Sequence, residues 1–289
     1  MAVTISNVYI ETFENNVRHL AQQAQAKLRG AVTERSSNGE KHNWERLGPR
    51  PGSLKPGTLV TTPAQELPWS RRVSTAATYH AGEATEQEDP VQMLVDPNSN
   101  IAMNLSMAMR RQIDDVIIAA ATGNATDGNG SAVAFPAAQV VGTGANPISF
   151  DIVTEVQEKF MQNDIDPDVP KVFIVGPTQV RKLMQLTEQT SGDYVRRSLE
   201  QLSANGIVPN WMGFTWIMST RLLAPATGEI SCLAFTKRAI GLQINKDVTA
   251  RVAEDPSVSF AWRIYCHMVL GAVRVEDEHI VHVHLADTI

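Results

Sequence analysis

The chain has 289 residues, 43% of them apolar, and a formal charge of −6 from 25 basic and 31 acidic side chains. That balance argues against a large sequence-independent grip on nucleic acid, which needs clustered Lys and Arg to displace counterions. No run approaches the ~18 uncharged apolar residues that cross a bilayer, so a soluble chain with no membrane partner is expected. The opening AVTISNVYIETFENNV has no basic start and no continuous apolar segment, and reads as no secretory signal. Cys232 and Cys266 lie far apart in apolar surroundings and read as buried free thiols. A chain of this size tends to split its core, which predicts two linked lobes.

Residues 1–30 read as an arm containing a helix: Phe13, Val17, Leu20 and Ala24 recur at helical spacing, and Gly30 can stop it. Such a segment can lie on its own domain or on a neighbour. Residues 31 to about 90 are rich in Pro, Gly, Thr, Ser and charge, with only short alternating pieces such as TLVTT and RRVSTAATYHA. Such a stretch cannot build a core alone, and a structureless loop of that length is improbable in a compact domain. Disorder is one reading. The other is a long two-stranded projection whose exposed Trp69, Val73 and Tyr79, with Arg71, Arg72, Glu83, Glu86 and Asp89, are satisfied by another subunit.

The segment from Asn98 to Gly123 contains no proline and no interior glycine, and predicts one long helix capped by Asn98 or Ser99. Ile101, Leu105, Ile113 and Val116 mark its apolar stripe, and Arg110, Arg111 and Asp114 its opposite side. Arg110 and Arg111 are further candidates for pairing with a neighbour. A glycine-rich connector follows, with strand-like SAVAF and AQVVG and turn signals at Asp127-Gly128 and Asn129-Gly130. Ser149 then caps a second helix ending near Asn163. Residues 171–245 read as an α/β lobe: strand KVFIVGP, a helix from Pro177 to Leu186, a helix in YVRRSLEQLSANG, and strands FTWIMS, ISCLAFT and AIGLQIN. TARVAED, FAWRIYCHMVLGAVRV (broken at Gly271) and HIVHVHLA predict closing strands that return to the long helix.

Chemical sites are poorly supported. His279, His282 and His284 could place two imidazoles on one strand face, yet no third ligand or Cys-x-x-Cys accompanies them. Asp114-Asp115 and Glu276-Asp277-Glu278 point different ways on their elements and read as solvated faces or salt-bridge partners. GTGANP lacks the ending of a phosphate loop, and no nucleophile elbow is present. No cofactor, metal or catalysis is expected; the enzyme alternative would rest on the C-terminal His and acid cluster.

The order of these parts resembles the tailed-bacteriophage major capsid proteins with the Hong Kong 97-like fold, an α+β architecture. The resemblance rests on RRVSTAATYHAGEATEQEDPVQMLVDPNS running into the long helix, MAMRRQIDDVIIAAATGNA at its end, and Gly271-Ala272-Val273-Arg274. It implies an N-terminal arm over 1–35, an E-loop over 36–91, a P-domain over 92–170 and 246–289 with the 98–123 helix as spine, and an A-domain over 171–245. It also implies partners: the chain itself, as pentamers and hexamers closing an icosahedral head around double-stranded DNA without sequence-specific binding, a portal, and optionally a decoration protein. With the arm starting near Met1, a separate scaffolding protein is expected. Lys41 and Lys55 sit in the projection, but no partner asparagine matches by motif, so the family's isopeptide cross-link is not carried over. An encapsulin-type shell, which shares the fold and encloses protein cargo, is the close alternative.

Overall fold

The computed structural model describes residues 22–61, 66–85, 97–185, 207–257 and 260–287. It divides into two compact units, one made of Met1–Gln25, Tyr79–Arg111 and Val248–Met268, the other of Ala26–Thr78, Gln112–Asp247 and Val269–Ile289.

The second unit is built on a six-stranded mixed sheet. Its strands, in spatial order, are β7 (Val140–Val141), β14 (Ile280–Ala286), β11 (Glu229–Thr236), β8 (Lys171–Val175), β10 (Phe214–Met218) and β9 (Ile207–Trp211). Side chains alternate across a strand, so Phe173, Val175, Phe214, Trp216, Cys232, Ala234, Val281 and Val283 share one buried face. Two helices supply the other half of that core: α2 (Phe150–Gln162) through Val153, Val156 and Phe160, and α3 (Pro177–Met184) through Val180 and Leu183. Phe173 stacks on Trp216 at 4.5 Å and meets Phe214 edge-on at 5.5 Å. Each such pair adds about 0.5–1.5 kcal/mol beyond the area it buries. Burial pushes the Cys232 thiol up to about 12, which keeps it an inert apolar filler.

The long helix α1 spans Pro97–Thr122, and Met107, Met109, Ile113, Ile117, Ile118 and Ala121 are its buried stripe. The expected Ser149 cap is in place, its Oγ accepting from the Ile152 amide at 3.3 Å. A four-stranded sheet runs β1 (Thr33–Ser36), β12 (Ile240–Asp255), β13 (Ala261–Arg274), β4 (Ala77–Thr85), with β1 parallel to β12. β2 (Lys41–Leu47) and β3 (Trp69–Thr75) form a separate antiparallel hairpin. A smaller hairpin, β5 (Ala125–Thr126) with β6 (Ala132–Val133), turns through the Asp-Gly-Asn-Gly run.

Several expectations change. Residues 22–28 are not helical and lead only into a 3-10 turn at Arg29–Ala31; the earlier part of the expected arm helix lies outside the described residues. So does the helix expected in YVRRSLEQLSANG, up to its stop at Gly206. Within TLVTT, residues 58–61 form no strand. AIGLQIN and TARVAED are one continuous strand of 16 residues. Gly271 does not break β13; a Cβ there would lie 2.2 Å from the Thr75 carbonyl oxygen, so glycine permits a close backbone approach within an unbroken strand. Asp114 is fully buried rather than on the polar side of α1: its two carboxylate oxygens accept the consecutive amides of Lys27 and Leu28, each at 3.0 Å. β14 does reach the end of α1, His282 Nε2 donating to the Ala121 carbonyl at 3.1 Å, but it does so as an interior strand of the six-stranded sheet.

Candidate functional site

The β2–β3 hairpin is fixed firmly at its root. Trp44 is buried with Ala125, Val273 and Val275, and its ring covers Gly241 so closely that a Cβ there would sit 2.5 Å from it. The indole Nε1 donates to Ser74 Oγ at 3.0 Å, Ser74 Oγ donates to Gln243 Oε1 at 2.8 Å, and Gln243 Nε2 donates to the Gly39 carbonyl at 2.8 Å. Every polar atom of this buried chain is therefore paired, the condition under which such a network specifies one arrangement.

A second network holds the other face of the root. Asp277 lies between two guanidinium groups, Oδ2 taking Arg72 Nη2 at 2.8 Å and Oδ1 taking Arg274 Nε at 2.5 Å. Arg274 is fully buried and spends its remaining donors on the carbonyls of Gly123, Val133 and Ala134 at 2.6, 3.0 and 3.1 Å. The Gly123 carbonyl follows the last turn of α1, where a cation complements the helix dipole. Arg274 also sits 5.0 Å over the Phe135 ring, which stacks on His282 at 3.6 Å. Burial, with Arg274 and His284 nearby, pushes His282 down to about 4, so it is neutral at pH 7.

Beyond Leu47 and before Trp69 the support ends. The amide of Gly48 donates to the Pro68 carbonyl at 3.0 Å, and the chain then runs through a loop whose concave side is lined by Arg50, Leu54, Lys55 and Val60. Leu54 is 94% exposed and Leu59 101%, with Leu47, Val60, Leu67 and Trp69 also exposed. These six are half of the twelve exposed large apolar side chains among the described residues, gathered in 23 positions. Contiguous apolar exposure of this kind marks an interaction surface.

The expected contact residues separate into groups. Trp69 is 68% exposed, and Tyr79 and Glu83 are half-buried and exposed. Arg71 is open to solvent but pairs with Glu45 across the hairpin at 2.9 Å. Arg72 is turned inward, only 6% exposed, with its partner Asp277 in the same chain. Arg110 and Arg111 reach their own arm: Arg110 Nη1 donates to the Ala24 carbonyl at 3.2 Å and Arg111 Nη1 to Gln22 Oε1 at 2.6 Å. Glu86 and Asp89 lie outside the described residues. Sequence reasoning missed Leu54, Leu59 and Val60; their signal was isolated large apolar residues inside a Pro- and Gly-rich run.

The histidines have separate duties. His279 links Thr236 Oγ1, at 2.7 Å, to Glu276, at 3.0 Å, and this bond holds the Glu276 carboxyl below its usual range. Thr236 is fully buried, which puts its hydroxyl out of a substrate's reach, while His279 and Glu276 are half-buried. His282 and His284 stack at 6.2 Å, and among the described residues no three potential ligands gather around one point. No described helix is long and apolar enough to cross a membrane.

Comparison with solved structures finds phage proteins, several of them from capsids. The chain is 16% identical to a protein of Mycobacterium phage Che8, with TM-score 0.73 over 97% of this chain and 98% of that one. It is 14% identical to a chain from the mature capsid of bacteriophage PhiM1, TM-score 0.70, over 98% and 93%. It is 9% identical to a chain of the Ralstonia phage GP4 capsid, TM-score 0.71, over 100% and 98%. At these identities the likeness is one of fold. No curated protein matches the sequence. The model of the phage capsid protein family, however, matches residues 5–287. With a mixed helix and sheet fold like that of these structures and a family match over nearly its whole length, the chain belongs to the phage capsid protein family, structural components of the virion rather than enzymes.

Proposed function

We propose that copies of this chain join as pentamers and hexamers into an icosahedral head that encloses double-stranded DNA without reading its sequence. In this reading residues 36–91 are the E-loop, 92–170 with 246–289 the P-domain with α1 as its spine, and 171–245 the A-domain. A separate scaffolding protein and a portal complete the assembly. The observation that carries it is the hairpin tip: Leu54 and Leu59, 94% and 101% exposed, are left without cover among the described residues. Burying one such leucine against a neighbour contributes about 1.5–3 kcal/mol, and many copies repeat the gain around a closed shell. The −6 charge leaves a wall that confines DNA without gripping it.

The test replaces residues 49–67 by Asn-Gly. Gly48 and Pro68 already face each other through the Gly48 amide and the Pro68 carbonyl, and Pro68→Thr in the same variant supplies the amide that closes the two-residue turn, so β2 and β3 stay joined. Electron microscopy is expected to find folded subunits or small rings and no closed particles. Closed particles at the yield of the unaltered chain would remove the role given to the tip.

A further inference from the structure

The sequence holds three Asn-Gly pairs, Asn38-Gly39, Asn129-Gly130 and Asn205-Gly206, the last outside the described residues. Glycine after asparagine leaves the next amide nitrogen unshielded by a Cβ, so that nitrogen can reach the asparagine's own side-chain carbon. The two described pairs are held differently. Asn129-Gly130 sits in a turn closed by backbone bonds: the Gly130 amide donates to the Asp127 carbonyl and the Asp127 amide to the Ser131 carbonyl, each at 2.9 Å. Asn38 and Gly39 are exposed in the connection between β1 and β2. There the Gly39 amide donates to Ser37 Oγ at 3.3 Å, beyond the usual N–H···O range, and the Asn38 side chain makes no hydrogen bond among the described residues. The Gly39 carbonyl, in contrast, is clamped, accepting Gln243 Nε2 at 2.8 Å and Asn245 Nδ2 at 2.7 Å.

We propose that Asn38 is a site of spontaneous self-modification, at which the Gly39 amide nitrogen displaces the side-chain nitrogen of Asn38 as ammonia and the product loosens the root of the hairpin. The Gly39 nitrogen gives its proton to water and bonds to Asn38 Cγ; the Cγ–Nδ2 bond breaks, and Nδ2 takes a proton from water and leaves. The five-membered imide so formed then takes up one water. Opening at Cγ leaves an aspartate. Opening at the Asn38 main-chain carbonyl leaves an isoaspartate, whose backbone runs through Cβ and Cγ and is one carbon longer. The net change is one water consumed and one ammonia released, with no other reagent. Both ends of the connection are pinned, the Ser37 amide by the Ile244 carbonyl at 3.2 Å and the Glu40 carbonyl by the Ala76 amide at 2.7 Å, so the extra carbon displaces the Gly39 carbonyl between them. Gln243, fully buried, then keeps only Asn245 Oδ1 for its Nε2, while its Oε1 still carries Ser74 and, through it, Trp44. A buried polar network that loses one partner holds its remaining members less firmly.

Ageing the unassembled subunit in mildly alkaline buffer tests this, with peptide mass mapping to count the lost amides and enzymatic methylation of isoaspartate to read the longer backbone. Asn38 is expected to convert at least about tenfold faster than Asn129 in the folded chain, and at a comparable rate in urea, where neither local structure persists. Gly39 has no positive φ, and a Cβ there would approach no atom closer than 3.4 Å, so Gly39→Ala keeps the fold. That variant is expected to convert at Asn38 at least about tenfold more slowly and to hold its urea midpoint on ageing, while the midpoint of the wild-type chain falls. Asn38→Asp gains the charge without the extra carbon and is expected to keep the midpoint of fresh wild-type protein. Conversion at Asn129 as fast as at Asn38 in the folded chain, or unchanged conversion in Gly39→Ala, overturns the site. An aged wild-type chain carrying isoaspartate at position 38 with an unmoved midpoint overturns the loosening of the root, as does an equal fall in fresh Asn38→Asp.

Discussion

Replacing Asp277 by Asn removes one negative charge from between two buried positive ones and changes little else in shape. The Asp277 side chain is 12% exposed, Arg274 0% and Arg72 8%, so water reaches none of the three freely. Breaking a buried ion pair by neutralising one partner costs about 3–5 kcal/mol, since the remaining charge is left uncompensated. Arg274 retains three carbonyl acceptors, from Gly123, Val133 and Ala134, so it is only partly orphaned. Arg72 loses its ion-pair partner. The expected loss is therefore near the lower end, about 3 kcal/mol. Arg72→Met leaves Asp277 paired with Arg274 and should cost only about 1–2 kcal/mol. In the double variant the uncompensated Arg72 is gone, so the two losses should fall short of additivity by about 1–2 kcal/mol. Urea unfolding of the unassembled subunit measures all three, with an unchanged slope showing that the folded state is as compact as before. An Asp277→Asn loss below about 1 kcal/mol, or strict additivity, would show that solvent or another group already compensates these arginines.

The remaining expectations follow from single contacts. His282 takes its proton at about 4 in the folded chain against 6.5 for the free side chain, so between those values the unfolded chain binds a proton that the folded one refuses. Stability is then complete above pH 6.5 and falls as the pH drops toward 4, by roughly 3 kcal/mol at most. His282→Gln, which can still donate to the Ala121 carbonyl, should flatten that part of the profile; a variant that loses stability just as the wild type does would refute the assignment. Gly271→Ala places a Cβ 2.2 Å from the Thr75 carbonyl oxygen and 2.7 Å from its carbon, so strands rather than side chains must move. A loss of at least about 2 kcal/mol in the same unfolding assay is expected, and one within 0.5 kcal/mol would mean the approach is not held in solution. Ser149→Ala deletes the acceptor for the Ile152 amide and should cost about 1 kcal/mol, read as a lower urea midpoint.

The two neighbouring arginines of β3 show where the sequence was legible and where it was not. Elements set by local periodicity were readable: α1 starts and ends within a residue of its sequence bounds, α2 begins after the Ser149 cap, and β8 leads into α3 as expected. The fates of charged groups were not, because burial depends on what arrives from far along the chain. Asp114 meets amides 86 and 87 residues away, and Arg72 meets a carboxylate 205 residues away. One local rule did carry information: adjacent strand residues face opposite ways, so Arg71 and Arg72 could not both point at a neighbour. With Arg71 turned outward, Arg72 had to face the other side of the hairpin, and where that side is buried an arginine demands a partner. That demand explains the division of labour along the hairpin. A projection with an uncovered apolar end can be held in position before any neighbour arrives only if its root is fixed by bonds that do not depend on the neighbour. Trp44, Arg72, Asp277 and Arg274 provide those bonds within one chain, which leaves the tip, from Leu47 through Leu59 to Trp69, free to be completed by another.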